Sequence, residues 1–117
     1  GAKDATFIER DRLAADILTE NINTLNADKQ ATIFRMGLDT WINKSQGNFY
    51  DIIFADPPYK NTQLSTVVKL LGMLKPNGLM VVSYPGSGEV PTVKGFVVVD
   101  NRIYGNAALA FYRREDS

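Results

Sequence analysis

Apolar positions in the first half of the chain alternate between strand-like and helix-like spacing. Residues 4–9 (DATFIE) and 31–36 (ATIFRM) have the short apolar patterns of strands. Between them lies an apolar stripe at helical spacing, formed by Leu13, Ile17, Leu18, Ile22 and Leu25. Asp11 stands where the N-cap of that helix is expected. With a short helix over residues 39–43 (DTWIN), this half is predicted to read strand, helix, strand, helix.

The middle of the chain predicts another strand, helix and strand. Residues 50–56 (YDIIFAD) are apolar on both alternating faces, which is typical of a parallel strand buried on both sides. The segment 63–74 is predicted to be a helix, with an apolar stripe formed by Leu64, Val67, Val68, Leu71 and Leu74. KPNG (75–78) is expected to stop this helix. LMVVSY (79–84) then reads as a further buried strand.

The end of the chain has a different pattern. Residues 85–95 contain three Gly and two Pro and are predicted to form a loop. FVVVDNRIYG and NAALAFYRRE follow as two strands joined at Gly and Asn, an antiparallel hairpin. Strand–helix alternation followed by a strand pair predicts an α/β sandwich with a mostly parallel sheet, formed by a single domain over residues 1–117.

Composition excludes several kinds of chemistry. The 117 residues include no Cys and no His, so disulfides, thiolate metal sites, Ser-His triads and His-ligated metals are excluded. Lys plus Arg (13) equals Asp plus Glu (13), so net charge does not indicate a nucleic-acid partner. No apolar run approaches the ~20 residues that span a bilayer. A soluble cytoplasmic protein without a metal is expected, and any catalysis must use carboxylates, backbone groups, Tyr, Lys or a cofactor.

The ends of the first two predicted strands carry candidate ligand-binding groups, because ligands of open α/β sheets lie beyond the carboxyl ends of the strands. Glu9 can accept both hydroxyls of a ribose, although it can equally be a solvated or capping acid beside Asp11. After the second strand, Gly37 allows a ligand to approach the backbone. Asp39 or a main-chain N–H can then address an adenine edge, and Asp39 is equally placed to cap the short helix.

The third strand end, Asp56-Pro57-Pro58-Tyr59, has the most specific pattern. An exocyclic amino group of a nucleobase is a poor nucleophile because its lone pair is delocalised into the ring. Acceptors that hold its two N–H groups stabilise the charge that develops during attack on a methyl donor. Asp56 supplies one acceptor and the rigidly held carbonyl of Pro57 the other. Tyr59 offers a flat face for an extruded base. The structural alternative is a stiff strand exit.

Other residues have weaker signals. Trp41 is predicted to be a core residue. Five cationic residues can be interpreted either as contacts to RNA phosphates or as scattered surface charges: Lys60, Lys94, Arg102, Arg113 and Arg114. PGSGEV (85–90) lacks the Lys-Ser/Thr of a P-loop and is predicted to be a plain loop.

Several segments together resemble one family, the Rossmann-like S-adenosylmethionine-dependent methyltransferases of the RsmD type, which methylate guanine N2 in 16S rRNA. The segments that carry the resemblance, in order, are GAKDATFIERDR, ATIFRMGLDTWI, YDIIFADPPY, LKPNGLMVVSY and RIYGNAALAFYRR. They cover essentially the whole chain. The motif D-P-P-Y is typical of amino-methyltransferases in general, and the RIYGNAALAFYR ending narrows the resemblance to the RsmD type.

The resemblance implies roles for individual residues. Glu9 would bind the ribose of S-adenosyl-L-methionine, and Gly37 or Leu38 would stand at its adenine, where the family often has an acid or Asn. Asp56, Pro57 and Tyr59 would be catalytic. Pro58 and Tyr59 would bind the base, and the partner would be 16S rRNA or a small-subunit precursor.

One departure from the family lies at the front of the chain. Family members have a first strand, a glycine-rich cofactor loop and a helix before the segment that begins here at Gly1, and this sequence contains no G-x-G-x-x-G. By resemblance, that strand lies between the strands that end at Glu9 and Asp56. The isolated chain is therefore expected to bind the cofactor weakly.

The sequence leaves two alternative functions open. The motif D-P-P-Y recognises an amino group rather than one particular base, so it would also serve methylation of adenine N6 in DNA or RNA. A non-catalytic binding module with a methyltransferase-like fold is the other alternative, favoured by the absent glycine-rich loop. The coding sequence upstream of Gly1 would separate a truncated enzyme from such a module.

Overall fold

A computed structural model describes residues 2–45, 47, 49–56, 64–85 and 90–115. The elements in chain order are β1 (Ala5–Ile8), α1 (Arg12–Thr24), β2 (Ala31–Phe34), α2 (Leu38–Lys44), β3 (Tyr50–Ala55), α3 (Leu64–Leu71), β4 (Leu74–Pro85), β5 (Phe96–Tyr104) and β6 (Ala107–Arg114). They form two compact units, Gly1–Gln46 and Gly47–Ser117, each with its own sheet. In the part of the chain that the structure describes, no helix is both long and apolar enough to cross a membrane. The single domain inferred from the sequence stays a prediction.

The first unit is a βαβ segment followed by a short helix. β1 and β2 pair in parallel, from Ala5 opposite Ala31 to Ile8 opposite Phe34. Of the residues of α1, only Ala15 and Ile22 are buried, and both ends of the predicted apolar stripe are exposed. The apolar stripe of α1 is therefore only partly buried. Periodicity indicates which residues can be buried, and a two-stranded sheet offers only a narrow surface to cover them.

The N-cap of α1 is confirmed. The backbone at Asp11 is extended, and its Oδ2 accepts a hydrogen bond from Ala14 N at 2.9 Å. This contact satisfies one of the N–H groups that have no partner inside the helix.

Replacing this cap should weaken the fold measurably. Asp11→Ala is expected to lower the free energy of unfolding by about 1 kcal/mol, because the N–H of Ala14 loses its acceptor. Urea unfolding followed by circular dichroism measures the change. Asp4→Ala removes another exposed acid, outside any helix, and serves as the control. An equal loss in both variants would contradict the capping role.

The second helix begins one residue earlier than predicted. The N-cap of α2 is Gly37, which makes no side-chain capping bond, and Asp39 lies inside the first turn. The hypothesis that Asp39 caps the helix is therefore wrong, although a carboxylate in the first turn still interacts favourably with the helix dipole.

The core position of Trp41 is confirmed, because its side chain is buried with its ring centroid 6.4 Å from that of Phe34.

The second unit holds a four-stranded sheet in the order β3-β4-β6-β5. β3 and β4 are parallel, and β6 runs antiparallel to both β4 and β5. Residues 80–84 of β4 are all buried, which confirms the predicted buried strand. The C-terminal hairpin is also confirmed. Its turn is Gly105-Asn106, and Gly105 has a φ of 58°, a conformation that glycine adopts without steric cost.

Helix α3 is shorter than its apolar pattern indicated. It ends at Leu71, and residues 72–73 form a turn before Leu74 begins β4. Of the residues in its apolar stripe, Val67 and Leu71 are buried, whereas Val68 is exposed. Assigning Leu74 to the helical stripe was wrong, because a continuous apolar run has no period that separates a helix from a following strand.

The stretch KPNG (75–78) is an irregularity inside β4 rather than the stop of a helix. β4 advances five residues, from Leu74 to Leu79, while its partner β3 advances two, from Tyr50 to Ile52. Extra residues on one strand leave the ladder and bend it locally. The stretch therefore belongs to a strand whose regular pairing resumes at Leu79.

Strand β3 is not buried on both faces, contrary to the prediction. Ile52 is 56% exposed and Phe54 is 79% exposed. Among the described residues β3 pairs with β4 alone and is an edge strand. The apolar run shows what the strand is able to bury, whereas the number of neighbours that cover it depends on tertiary structure.

Candidate functional site

The carboxyl ends of β1 and β2 bring the predicted cofactor-binding residues of the first unit to one edge. Ile8 is level with Phe34, and Glu9 N donates a hydrogen bond to Phe34 O at 3.1 Å. Glu9 therefore leaves β1 beside the turn that carries Gly37 and Leu38. The structure places these three residues as parallel pairing predicts.

The carboxylate of Glu9 is held in place by the chain. Its Oε1 accepts a hydrogen bond from Asp11 N at 3.2 Å, so the capping interpretation describes a contact that does form. A carboxylate has about four acceptor positions on two oxygens, so this contact leaves capacity for a ribose hydroxyl. The remaining acceptor positions of Glu9 fit a ribose hydroxyl of S-adenosylmethionine.

The turn after β2 presents backbone rather than side-chain polar groups. A Cβ added to Gly37 would meet nothing nearer than Cδ of Arg10, at 3.9 Å, so the surface over this glycine is open. Gly37 O accepts a hydrogen bond from Trp41 N at 3.1 Å, and Leu38 is the first residue of the helix. The N–H of Leu38 has no acceptor within the helix and is suited to an adenine ring nitrogen.

An ion pair that sequence analysis missed fastens α1 to this edge. Nη1 of Arg35, the residue after β2, lies 2.6 Å from Oδ1 of Asp16, and its Nη2 donates to Thr19 Oγ1 at 3.3 Å. Both partners of Arg35 lie in α1, far away in sequence, so no local sequence pattern predicts the contact. It positions the strand end next to Gly37.

In the second unit, Asp56 is the first residue beyond β3 and is exposed. It therefore lies at the carboxyl edge of the parallel pair β3–β4, as the sequence predicted for a catalytic acid. The other residues of the motif, Pro57, Pro58 and Tyr59, lie outside the described part of the chain. Their roles stay predictions.

A buried pair of tyrosines near this edge was also missed. Tyr84 and Tyr112 have their hydroxyl oxygens 3.2 Å apart, and the Tyr112 hydroxyl donates to Pro91 O at 2.8 Å. Because Tyr112 has one proton to give, Tyr84 must donate to Tyr112. The pair therefore ties the backbone at Pro91 to strand β6. Each tyrosine follows an apolar stretch of its strand, residues 79–82 in β4 and 107–111 in β6, and this pattern was the available signal.

Burial raises the pKa of both tyrosines and is the largest cause of the shift in each. Both groups therefore favour the protonated form in the folded state, and their contribution to stability is complete below the unfolded value of about 10. Stability should fall as pH rises above that value. The urea midpoint of Tyr112→Phe should fall less steeply with pH than that of the unaltered protein, and identical slopes would contradict this assignment.

The candidate RNA-contacting cations lie at two different ends of the sheet. Arg113 donates to Asn77 O at 3.0 Å and Arg114 to Leu74 O at 2.9 Å, so both hold the irregular start of β4. That start is the edge opposite Asp56. Arg102 instead lies near the carboxyl end of β5, and Lys60 is outside the described residues.

Comparison with known proteins identifies the family. A protein-family model described as "Conserved hypothetical protein 95" matches residues 1–113. YlbH of Bacillus subtilis is 29% identical over 121 residues, covering 97% of this chain and 65% of YlbH. The ribosomal RNA small subunit methyltransferase D of Escherichia coli is 29% identical over 118 residues, covering 97% of this chain and 59% of that protein. The chain thus spans 59–65% of the length of these two relatives.

Solved structures agree with this assignment. A conserved hypothetical protein from Streptococcus pyogenes superimposes with a TM-score of 0.89 at 25% identity, covering 98% of this chain and 74% of that one. Methyltransferases are among the other solved structures with the same fold, so the chain has the Rossmann-like class I methyltransferase architecture. The resemblance to RsmD-type enzymes noted from the sequence is confirmed, and the chain belongs to the family described as "Conserved hypothetical protein 95".

Proposed function

We propose that the protein containing this chain methylates an exocyclic amino group of small-subunit ribosomal RNA, namely guanine N2 of 16S rRNA, with S-adenosyl-L-methionine as methyl donor. The observation that carries the proposal is the position of Asp56, exposed at the carboxyl end of a parallel strand and followed by Pro-Pro-Tyr. The E. coli relative named as a small-subunit rRNA methyltransferase supports the substrate class. An enzyme acting on ribosomal subunits would work in the cytoplasm.

The residues of the second unit would prepare the base. The Asp56 carboxylate accepts one N–H of the amino group and the Pro57 carbonyl accepts the other, which favours a nitrogen whose lone pair is free to attack. Pro58 lines the base, and Tyr59 stacks on it. Positioning of this kind supplies much of the rate of a direct displacement.

The residues of the first unit would hold the cofactor. The Glu9 carboxylate would accept ribose hydroxyls, and the N–H of Leu38, next to Gly37, would donate to the adenine. When bound, S-adenosylmethionine supplies an electrophilic methyl group next to a positively charged sulfur.

The test is a methyl-transfer assay with the full-length protein. Small ribosomal subunits and free 16S rRNA, both from cells lacking the enzyme, are incubated with isotopically labelled S-adenosylmethionine, and the modified nucleoside is mapped by mass spectrometry. The expected product is N2-methylguanosine at a single position. N6-methyladenosine would overturn the guanine assignment in favour of the adenine enzyme. No incorporation into either substrate would overturn the enzymatic proposal in favour of a binding module.

A further inference from the structure

The outer strand β5 presents an alternating polar and aromatic face at its carboxyl end. Asp100, Arg102 and Tyr104 occupy every second position, so their side chains project from the same face of the sheet. Tyr104 is 57% exposed, and the side chain of Arg102 is 60% exposed. We call Arg102 and Tyr104 the β5 platform.

The register of the sheet places this platform at the same edge as Asp56. One continuous row of paired residues crosses all four strands, formed by Ala55, Val82, Ala110 and Asn101. β5 runs in the same direction as β3, so Asp56 and Arg102 each lie one residue beyond the row, towards the same edge. Three strand spacings separate them, about 14 Å. Tyr104 lies two residues further towards that edge.

The guanidinium of Arg102 is pre-oriented by its neighbours. Its Nε donates to Asp100 Oδ2 at 3.0 Å, and Oδ1 of the same carboxylate accepts from Asn101 N at 2.8 Å. Hydrogen bonds to Asp100 and to the Tyr104 side chain raise the pKa of Arg102. A guanidinium has five N–H donors in a planar fork, so contact with one carboxylate leaves donors for a phosphate.

We propose that the β5 platform binds single-stranded RNA a few nucleotides from the target base, with Arg102 contacting a phosphate and Tyr104 stacking on a base. This inference rests on the proposed function, which brings RNA to Asp56. An exposed aromatic ring next to an oriented cation is the combination that binds single strands without reading their sequence. The bases of a duplex are already stacked and cannot lie on Tyr104, so the platform requires an unpaired strand.

Equilibrium binding of the full-length protein to a labelled single-stranded RNA of mixed sequence tests the platform. Tyr104→Ala should weaken binding roughly 5- to 150-fold, the equivalent of losing one base–aromatic stack, whereas Tyr104→Phe should retain most of the affinity. Arg102→Ala should lower the slope of log affinity against log salt by about 0.7, the value for one lost phosphate contact on a single strand. Tyr104→Ala should leave that slope unchanged.

Lys94→Ala is the matched control, because Lys94 is an exposed cation just before the opposite end of β5. It should bind RNA as the unaltered protein does, and thermal unfolding should show all variants equally folded. RNA affinity within twofold of the unaltered protein for Tyr104→Ala would overturn the platform and point to a protein partner instead. So would an equal loss in Lys94→Ala, or no RNA binding by the unaltered protein.

The methylation assay separates this inference from the proposed function. A protein that binds RNA with the expected pattern of variants but transfers no methyl group would refute the enzyme and keep the platform. A protein that methylates 16S rRNA while Tyr104→Ala binds and reacts normally would keep the enzyme and refute the platform.

Discussion

Asp56→Asn is expected to lower kcat for methylation of the RNA substrate by about 10²–10³-fold, the loss seen when one pre-oriented stabilising group is removed from a reacting centre. The amide keeps the shape of the side chain and one carbonyl oxygen, but it loses the negative charge that stabilises the amino nitrogen as it becomes positive. Initial rates with the full-length protein measure the effect. Because Asp56 does not hold the cofactor in the proposed arrangement, calorimetry should show S-adenosylmethionine binding unchanged.

Asp51→Asn provides the matched control for this experiment. Asp51 lies in β3, the strand that Asp56 follows, and is also exposed, but it forms a surface ion pair with Lys75, at 3.3 Å, near the opposite end of β3. Exposed pairs of this kind contribute about 0–1 kcal/mol to stability, so the variant should stay folded. Because Asp51 is far from the proposed reacting centre, the methylation rate should stay close to that of the unaltered protein. A rate for Asp56→Asn within tenfold of the unaltered enzyme would exclude the proposed role.

The largest effect on stability is expected at the irregular start of β4. Leu74 is fully buried, and a Cβ added to Gly78 would lie 2.7 Å from Leu74 Cδ1 and 2.8 Å from Lys75 O. Leu74→Ala should therefore cost about 2–5 kcal/mol through lost burial and a cavity, and Gly78→Ala about 1–3 kcal/mol through overpacking. The double variant should lose less than the sum, because the alanine at 78 then fills part of the space that Leu74 vacates.

Gly37→Ala is the control for this series. Its φ of −69° suits any residue and the nearest atom to the added Cβ is 3.9 Å away, so the expected loss is only that of an N-cap changed from Gly to Ala, about 1 kcal/mol or less. Urea unfolding of the four variants measures the series. Strict additivity of Leu74→Ala and Gly78→Ala would show that the two side-chain positions do not share space.

Local chemistry accounts for the elements that were predicted well. Asp11 caps α1 because its side chain reaches an N–H three residues away, a contact that lies within the local sequence. The hairpin turn at Gly105 forms because glycine adopts a positive φ at no steric cost. Strand β4 was recognisable from a run of apolar residues too short for most helices. In each case the deciding contacts lie within a few residues.

The candidate site was predictable where it depends on strand ends. Glu9, Gly37 and Asp56 directly follow strands or the turn beyond them, and parallel strands end at one edge of their sheet. The contacts that support those ends were not predictable. Arg35 reaches Asp16 across 19 positions, and Tyr84 meets Tyr112 across 28, so neither pair leaves a periodic signal.

The sequence by itself determined the class of fold, the family, the acid at the end of β3 and the turn chemistry of the hairpin, because short-range spacing and residue type specify these features. Only the tertiary structure decided how much of each apolar face is covered, where α3 ends and β4 begins, and which cations lie at the edge of Asp56. Exposure of Phe54 and the placement of Arg102 away from Arg113 depend on strand order and register. Strand order and register are set by long-range pairing, and the local sequence does not encode which neighbour a strand will have.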